Sequence, residues 1–302
     1  MEGKKSTKGK KTSTNSDSLD IFSLQEKSTE HTLSYIYSSF DELIEQGEYN
    51  FLGIIYDASF PQVEENNQKY SCILKLIDQT TNCLTNPNDF NEKIIYLIIK
   101  SNERENIPFV HHIGDIIRVR RGFYSPKKKR NVYLNVTKDN QIKGSWCLYH
   151  SNINTNEPYA CSNKKYTVES QDKLNLEGLK KWVKSYMGID KSLKYPMQIK
   201  LGNRNNEGND KDLMVHVVKK VEVDNHLILF IQDETDGCEL HTYKYYNFIQ
   251  DNDIIRVRSF KIFDNNNLVI NEFGNILVVP DYSSCYKTIF NELTKKMKNI
   301  KG

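Results

Sequence analysis

The feature that most limits what this chain can fold into is a repeat. Gly114-Asp-Ile-Ile-Arg-Val-Arg-Arg121 returns as Asn252-Asp-Ile-Ile-Arg-Val-Arg-Ser259. Upstream of each copy, Leu74-Lys-Leu-Ile-Asp-Gln-Thr80 resembles Leu229-Phe-Ile-Gln-Asp-Glu-Thr235. Two motifs in the same order imply a duplicated domain, because a copied supersecondary unit keeps its internal order. A length of 302 residues accommodates two domains at about 100–200 residues each.

Strand-like text surrounds each copy. The first half offers residues 51–56, 70–78, 94–99, 115–120 and 131–136, with turn chemistry at Asn86-Pro87-Asn88, Gly114-Asp115 and Ser125-Pro126. The second offers residues 213–218, 227–233, 240–243, 253–258 and 267–271. Five short strands in one small domain predict a closed barrel, since closure removes edges that would otherwise pair with another chain. The OB-fold has this strand count and a helix between its third and fourth strands, for which residues 102–106 offer only a short equivalent. A polar stretch, 151–169, reads as a disordered link. It precedes a helical face of Leu176, Leu179, Trp182, Val183 and Tyr186. A closing helix over 286–298 rests on Ile289, Phe290, Leu293 and Met297. The expectation is therefore an all-β chain of two tandem OB-folds with a linker helix and a C-terminal helix. Its divisions are a flexible basic tail (1–32), a first barrel (33–150), a linker (151–171) and a second barrel (172–302).

Composition excludes several alternatives. Aromatic residues make up 11% of the chain, more than a wholly disordered polymer carries. No apolar run approaches the ~18–20 residues of a membrane span, and residues 1–20 lack the apolar segment of a secretory signal. The cysteines at 72, 83, 147, 161, 238 and 285 form no CxxC pair, so neither a disulfide scaffold nor a paired-cysteine zinc site is expected, and the compartment reads as reduced and intracellular. His111-His112 precede a turn without accompanying metal-ligand spacing, and no glycine-rich phosphate loop occurs. No enzyme activity, cofactor, metal, membrane contact or small-molecule substrate is expected.

The net charge of +3 conceals clustering, which is what a polyanion feels. Lysines gather at 4–5, 8 and 10–11, and again at 127–129 beside Arg130; Arg118, Arg120 and Arg121 share one strand. The tail is either a solvated segment or a nuclear-import or phosphate-touching arm. Alternation places Arg118 and Arg120 on one strand face and Ile117 and Val119 on the other, and Arg256 and Arg258 repeat the pattern. Such a row is either a solvated edge or a set of phosphate contacts beside aromatic platforms, each stacked base contributing ~1–3 kcal/mol. Candidate platforms are Phe123, Tyr124 and Tyr133 in the first half, and Tyr243, Phe263 and Phe273 in the second.

Longer segments carry a family resemblance. Phe51-Leu-Gly-Ile-Ile-Tyr-Asp-Ala-Ser-Phe-Pro61, Ile107-Pro-Phe-Val-His-His-Ile-Gly-Asp-Ile-Ile-Arg118 and Ser145-Trp146 resemble the alpha subunit of ciliate telomere end-binding proteins. Protection-of-telomeres proteins are more distant relatives. Leu179-Lys-Lys-Trp-Val-Lys-Ser-Tyr186 is similar to that family's linker helix, and Leu268-Val-Ile-Asn-Glu-Phe-Gly-Asn-Ile276 to its final binding strand. The resemblance implies two OB-folds that grip the G-rich single-stranded 3′ overhang of a chromosome in the nucleus. Such a protein protects the end and regulates telomerase access, with other telomere proteins as partners.

Carried over residue by residue, Arg118, Arg120, Arg256 and Arg258 fall on the family's basic strand. Asp78 and Asp233 fall where a carboxylate can accept from guanine N1–H and N2–H₂, although each is equally readable as a strand-capping turn residue. Phe273 matches a stacking position. Three departures stand out. The family's third OB-fold has no counterpart after the second, an expected imidazole is Glu272, and Lys127-Lys128-Lys129 replaces an aromatic-bearing hairpin tip. A general single-stranded nucleic-acid binder of replication or repair is the alternative, then a protein-interaction adaptor, which would need apolar grooves.

Overall fold

The protein is seen here as a computed structural model that describes residues 35–64, 69–81, 93–126, 130–136, 144–189, 198–206, 211–264 and 267–301. The basic tail and Lys127 lie outside the described residues, as does the side chain of Phe273.

The first strand set is β1 (Gly47–Ala58), β2 (Gln62–Glu64), β3 (Lys69–Ile77), β4 (Ile95–Ser101), β5 (Ile116–Ser125), β6 (Asn131–Val136), β7 (Ser145–Tyr149) and β8 (Ala160–Cys161). Helix α1 (Ser170–Met187) follows. The second set is β9 (Gln198–Ile199), β10 (Asp212–Val223), β11 (His226–Gln232), β12 (Gly237–Tyr243), β13 (Ile254–Phe263) and β14 (Asn267–Val279), before helix α2 (Ser284–Lys301). β1-β3-β4-β6-β5 close on β1, and β10-β11-β12-β14-β13 close on β10. Within each ring one pairing is parallel, β4 with β6 and β12 with β14. Both are five-stranded OB barrels of the same topology, as the sequence repeat requires.

Side-chain alternation builds each barrel interior. Along β4, Ile95, Leu97 and Ile99 point inward while Tyr96, Ile98 and Lys100 face out. The repeat adds a device that simple alternation does not foresee. Arg121 (φ 58°) and Ser259 (φ 57°) adopt left-handed backbone, and the strand registers slip beside them, between Tyr49 and Phe51 and between Arg258 and Phe260. One extra residue at such a bulge reverses which face every later side chain occupies. Gly122 consequently points inward, where a Cβ would lie 2.7 Å from the Val132 side chain. Phe123 turns outward and Tyr124 inward. The repeat also opens on a left-handed residue in both copies, Gly114 (φ 90°) and Asn252 (φ 71°).

The polar stretch read as a disordered link is built differently. β8 pairs with β7, and the Tyr159 amide donates to the Leu148 carbonyl at 2.9 Å. β2, β7, β8 and β9 are additions to the ten strands expected, and residues 104–106 form a single 3₁₀ turn. The described residues form one compact unit, because the cores interlock. Met214, Ile254, Leu277 and Val279 from the second barrel pack into the first cluster together with Ile289 and Leu293 of α2. Backbone bonds reinforce this: the Ile113 amide donates to the Val278 carbonyl, and the Val278 amide to the His111 carbonyl, both at 2.9 Å.

Candidate nucleic-acid interface

The repeated arginines are ion-pair partners within the protein. Arg118 donates from Nη1 to Asp172 Oδ2 at 2.7 Å and to the Thr167 carbonyl at 2.8 Å. Arg120 reaches the same carboxylate at 3.3 Å and lies 3.6 Å over the Tyr35 ring. Asp172 also accepts the amide of Glu169, the N-cap residue of α1, so the arginine pair anchors this helix to the first barrel. In the second barrel, Arg256 is 4% exposed and donates to Asp57 Oδ1 at 2.7 Å and to Asp212. Arg258 donates to Asp57 Oδ2 at 3.1 Å, and Lys75 sits 3.0 Å from that oxygen. Burial pushes the Asp57 carboxyl up, but Arg256, Arg258 and Lys75 outweigh it and hold it below the ordinary range. The expected phosphate row is therefore corrected: a carboxylate is already paired with each of these arginines. Of the four, only the Arg258 side chain, 40% exposed, offers substantial surface.

Asp78 and Asp233 are likewise committed internally. Asp78 accepts the Phe40 amide at 2.7 Å and the Thr80 hydroxyl at 2.6 Å. Asp233 accepts the Leu201 amide at 2.7 Å and the Thr235 hydroxyl at 2.6 Å. Each closes an Asp-X-Thr turn and ties down the segment that enters its barrel. Both are buried, which corrects the expectation that they meet guanine edges. Tyr124 is corrected too: the bulge at Arg121 turns it inward, where its ring lies edge-on to Tyr49 at 6.2 Å.

What reaches the surface is a set of rings. Phe123 lies opposite Tyr133, Tyr133 opposite Ile98, and Ile98 opposite Ile73, giving a stripe across the outer wall of the first barrel. The matching row in the second barrel runs Ile228, His241, Val269 and Lys261. Phe263, 38% exposed, meets His241 edge-on at 4.7 Å. Tyr243, 46% exposed, stacks on Tyr245 at 5.2 Å, and Tyr245 stacks on Phe60 at 5.4 Å. Phe60 belongs to the first half of the chain, so this stack crosses between barrels, with the Arg104 guanidinium 5.8 Å from the Phe60 centroid. Sequence reasoning selected Phe123, Tyr133, Tyr243 and Phe263 as candidates. It did not select Ile73, Ile98, His241, Tyr245, Phe60 or Arg104, whose placement depends on pairing between distant strands.

Behind the surface stack lies a denser aromatic junction. His150 stacks on Tyr159 at 4.1 Å, Tyr159 on His111 at 4.8 Å, and His111 on Phe248 at 4.1 Å. Burial pushes the His111 imidazole down to about 4, so it is a neutral ring at pH 7. Burial pushes Asp115 up, yet bonding to His112 and His150 outweighs it and holds the carboxyl at about 2. His112 is drawn above its ordinary value, Asp115 and Asp253 outweighing its burial.

Two closed OB barrels, locked through an aromatic junction and carrying exposed rings on their outer walls, define a tandem OB-fold protein. Residues 31–193 match the family described as telomeric single stranded DNA binding POT1/CDC13, and the chain belongs to that family. The telomere-binding protein 51 kDa subunit of Euplotes crassus is 24% identical over 288 residues, covering 86% of this chain and 62% of that protein. A telomere-binding protein homolog of Euplotes crassus is 26% identical over 284 residues, covering 86% and 60%. The telomere-binding protein subunit alpha of Stylonychia mytilus is 23% identical over 272 residues, covering 81% and 53%. The chain thus spans 53–62% of the length of these relatives.

Proposed function

We propose that this chain binds the G-rich single strand of the telomeric 3′ overhang in the nucleus, capping the end and regulating telomerase access, as a binder with no catalytic step. The observation that carries this reading is that both barrels present rings at the surface: exposed Phe123 beside half-buried Tyr133 on one, and Tyr243, Tyr245 and Phe263 on the other. Unstacked bases of a single strand offer faces to such platforms, whereas a duplex hides them. Arg258 and Lys127 are proposed to meet phosphates and Phe273 a further base. Family membership, and telomere-binding relatives in Euplotes and Stylonychia, support the G-rich telomeric strand as ligand and the nucleus as location.

The test is a titration of the full chain with G-rich telomeric, C-rich and poly-T oligonucleotides, each with a free 3′ end or with the repeat placed internally. Tightest binding to the G-rich strand with a free 3′ end is expected, with log affinity falling by about 0.7 per neutralised phosphate for each tenfold rise in salt. Equal affinity for all three sequences would reassign the chain to general single-strand binding. No binding to any of them would remove the nucleic-acid reading.

A further inference from the structure

We propose that His112, Asp115 and His150 form a binding site for a divalent transition-metal ion of the zinc type. One ligand atom from each side chain lies within 4.8 Å of the other two. His112 Nδ1 is 3.4 Å from Asp115 Oδ2, and His150 Nδ1 is 3.4 Å from Asp115 Oδ1. Both contacts are hydrogen bonds, but longer than the ~2.7–2.9 Å of a tight charge-assisted pair. Bonds of about 2.0–2.2 Å in a tetrahedron put neighbouring donors roughly 3.3–3.6 Å apart; each imidazole already stands at that spacing from one Asp115 oxygen, and the set, now within 4.8 Å, would draw in slightly around an ion. Two imidazoles with one carboxylate select zinc, cobalt or nickel over the hard, oxygen-seeking calcium and magnesium.

The surroundings hold these donors in place. The Tyr159 hydroxyl donates to Asp115 Oδ2 at 2.9 Å, the outer contact that ligating carboxylates commonly carry. The same Tyr159 ring stacks on His150 at an interplanar angle of 11°, fixing the imidazole plane. The His112 and His150 side chains remain 20% and 16% exposed, so both imidazoles are in reach of solvent. An ion here would tie the turn that opens β5 to the end of β7. Because His112 also forms a backbone bridge with Val278 of β14, the ion would stiffen the seam between barrels.

The test uses the full chain, stripped of metal and titrated with Co²⁺ and then Zn²⁺. One Co²⁺ per chain with the intense visible absorption of a tetrahedral site is expected, displaced by Zn²⁺, with a rise in melting temperature. Tyr159→Phe should weaken the affinity about tenfold. The double variant His112→Gln/His150→Gln should lose the absorption and the thermal shift. Should that variant misfold, histidine ¹⁵N spectra of the wild-type chain give the answer, since Zn²⁺ should displace the Nδ1 signals of two of the 7 histidines. Absence of a stoichiometric Co²⁺ band in the wild-type chain, its survival in the folded double variant, or Nδ1 shifts at other histidines would overturn the site.

Discussion

The same six residues, Asp-Ile-Ile-Arg-Val-Arg, occupy the same strand of both barrels and serve different neighbours. In the first barrel, Arg118 and Arg120 hold Asp172 of α1. In the second, Arg256 and Arg258 hold Asp57 of the first barrel, and Arg256 also holds Asp212 at the start of β10. The leading aspartate diverges similarly. Asp115 and Asp253 each cap the turn before them, accepting the amides of His112 and Gln250, but only Asp115 is joined by imidazoles at 3.4 Å. The difference teaches that the motif is a docking socket. Its guanidiniums donate to whatever buried carboxylate the adjoining element supplies, and duplication let one socket bind a helix while its copy bound the sister barrel.

The largest expected effect tests that socket. Arg256→Ala leaves Asp57 and Asp212 buried with a cation missing, and Arg118→Ala does the same to Asp172. Each should cost about 3–5 kcal/mol of stability in urea denaturation. Hydrogen exchange should separate the two, with Arg118→Ala loosening α1 and Arg256→Ala loosening the seam between barrels. Costs below about 1 kcal/mol would return the arginines to the solvated-edge reading.

Next come the rings on either side of the bulge. Tyr124→Ala should cost about 3–5 kcal/mol of folding stability, as core aromatic truncations do, with binding by the folded fraction unchanged. Tyr243→Ala and Phe263→Ala should instead each weaken oligonucleotide binding by about 1–3 kcal/mol with little change in melting. The reverse pattern in paired melts and titrations would show that the wrong rings have been assigned to the surface.

Smaller still is the loss at the turn caps. Asp78→Asn and Asp233→Asn weaken charge-assisted bonds to amides and a hydroxyl, for about 1.5–3 kcal/mol in each barrel. Preference for G-rich over poly-T strands should survive in both variants, and its selective loss in either would restore that aspartate as a base contact.

The mildest effect is a pH dependence of the seam. Asp57 is held below its ordinary value in the folded chain, so the unfolded chain binds the proton more readily. Its contribution is complete above the unfolded value of about 4 and declines as pH falls through the lower folded value. Stability measured downward from pH 5 should therefore fall less steeply in Asp57→Asn than in the wild-type chain. Parallel slopes would mean that the Arg256–Arg258–Lys75 cluster does not govern this carboxylate.

Duplication, the OB strand order and both helices were legible in the sequence, because hydrophobic alternation and a repeated string are local properties. Phe123, Tyr133, Tyr243 and Phe263 could be chosen as candidate rings because they lie beside the arginine strands in the local text. Local text was insufficient at three places, each for a definite reason. Left-handed backbone at Arg121 and Ser259 shifts the strand phase by one residue, which buries Tyr124 and turns Phe123 outward; no alternation rule registers an inserted bulge. The arginine row reads as surface in sequence because its partners, Asp172 and Asp57, lie 54 and 199 residues from Arg118 and Arg256. His112 and Asp115 acquire His150 only because β7 pairs with β5, bringing an imidazole from 35 residues away. Sequence determined which strands exist and in what order, since that depends on periodicity. Tertiary structure decided which charges are satisfied internally and which rings remain for a ligand, since both depend on where barrel closure sets residues remote in the chain.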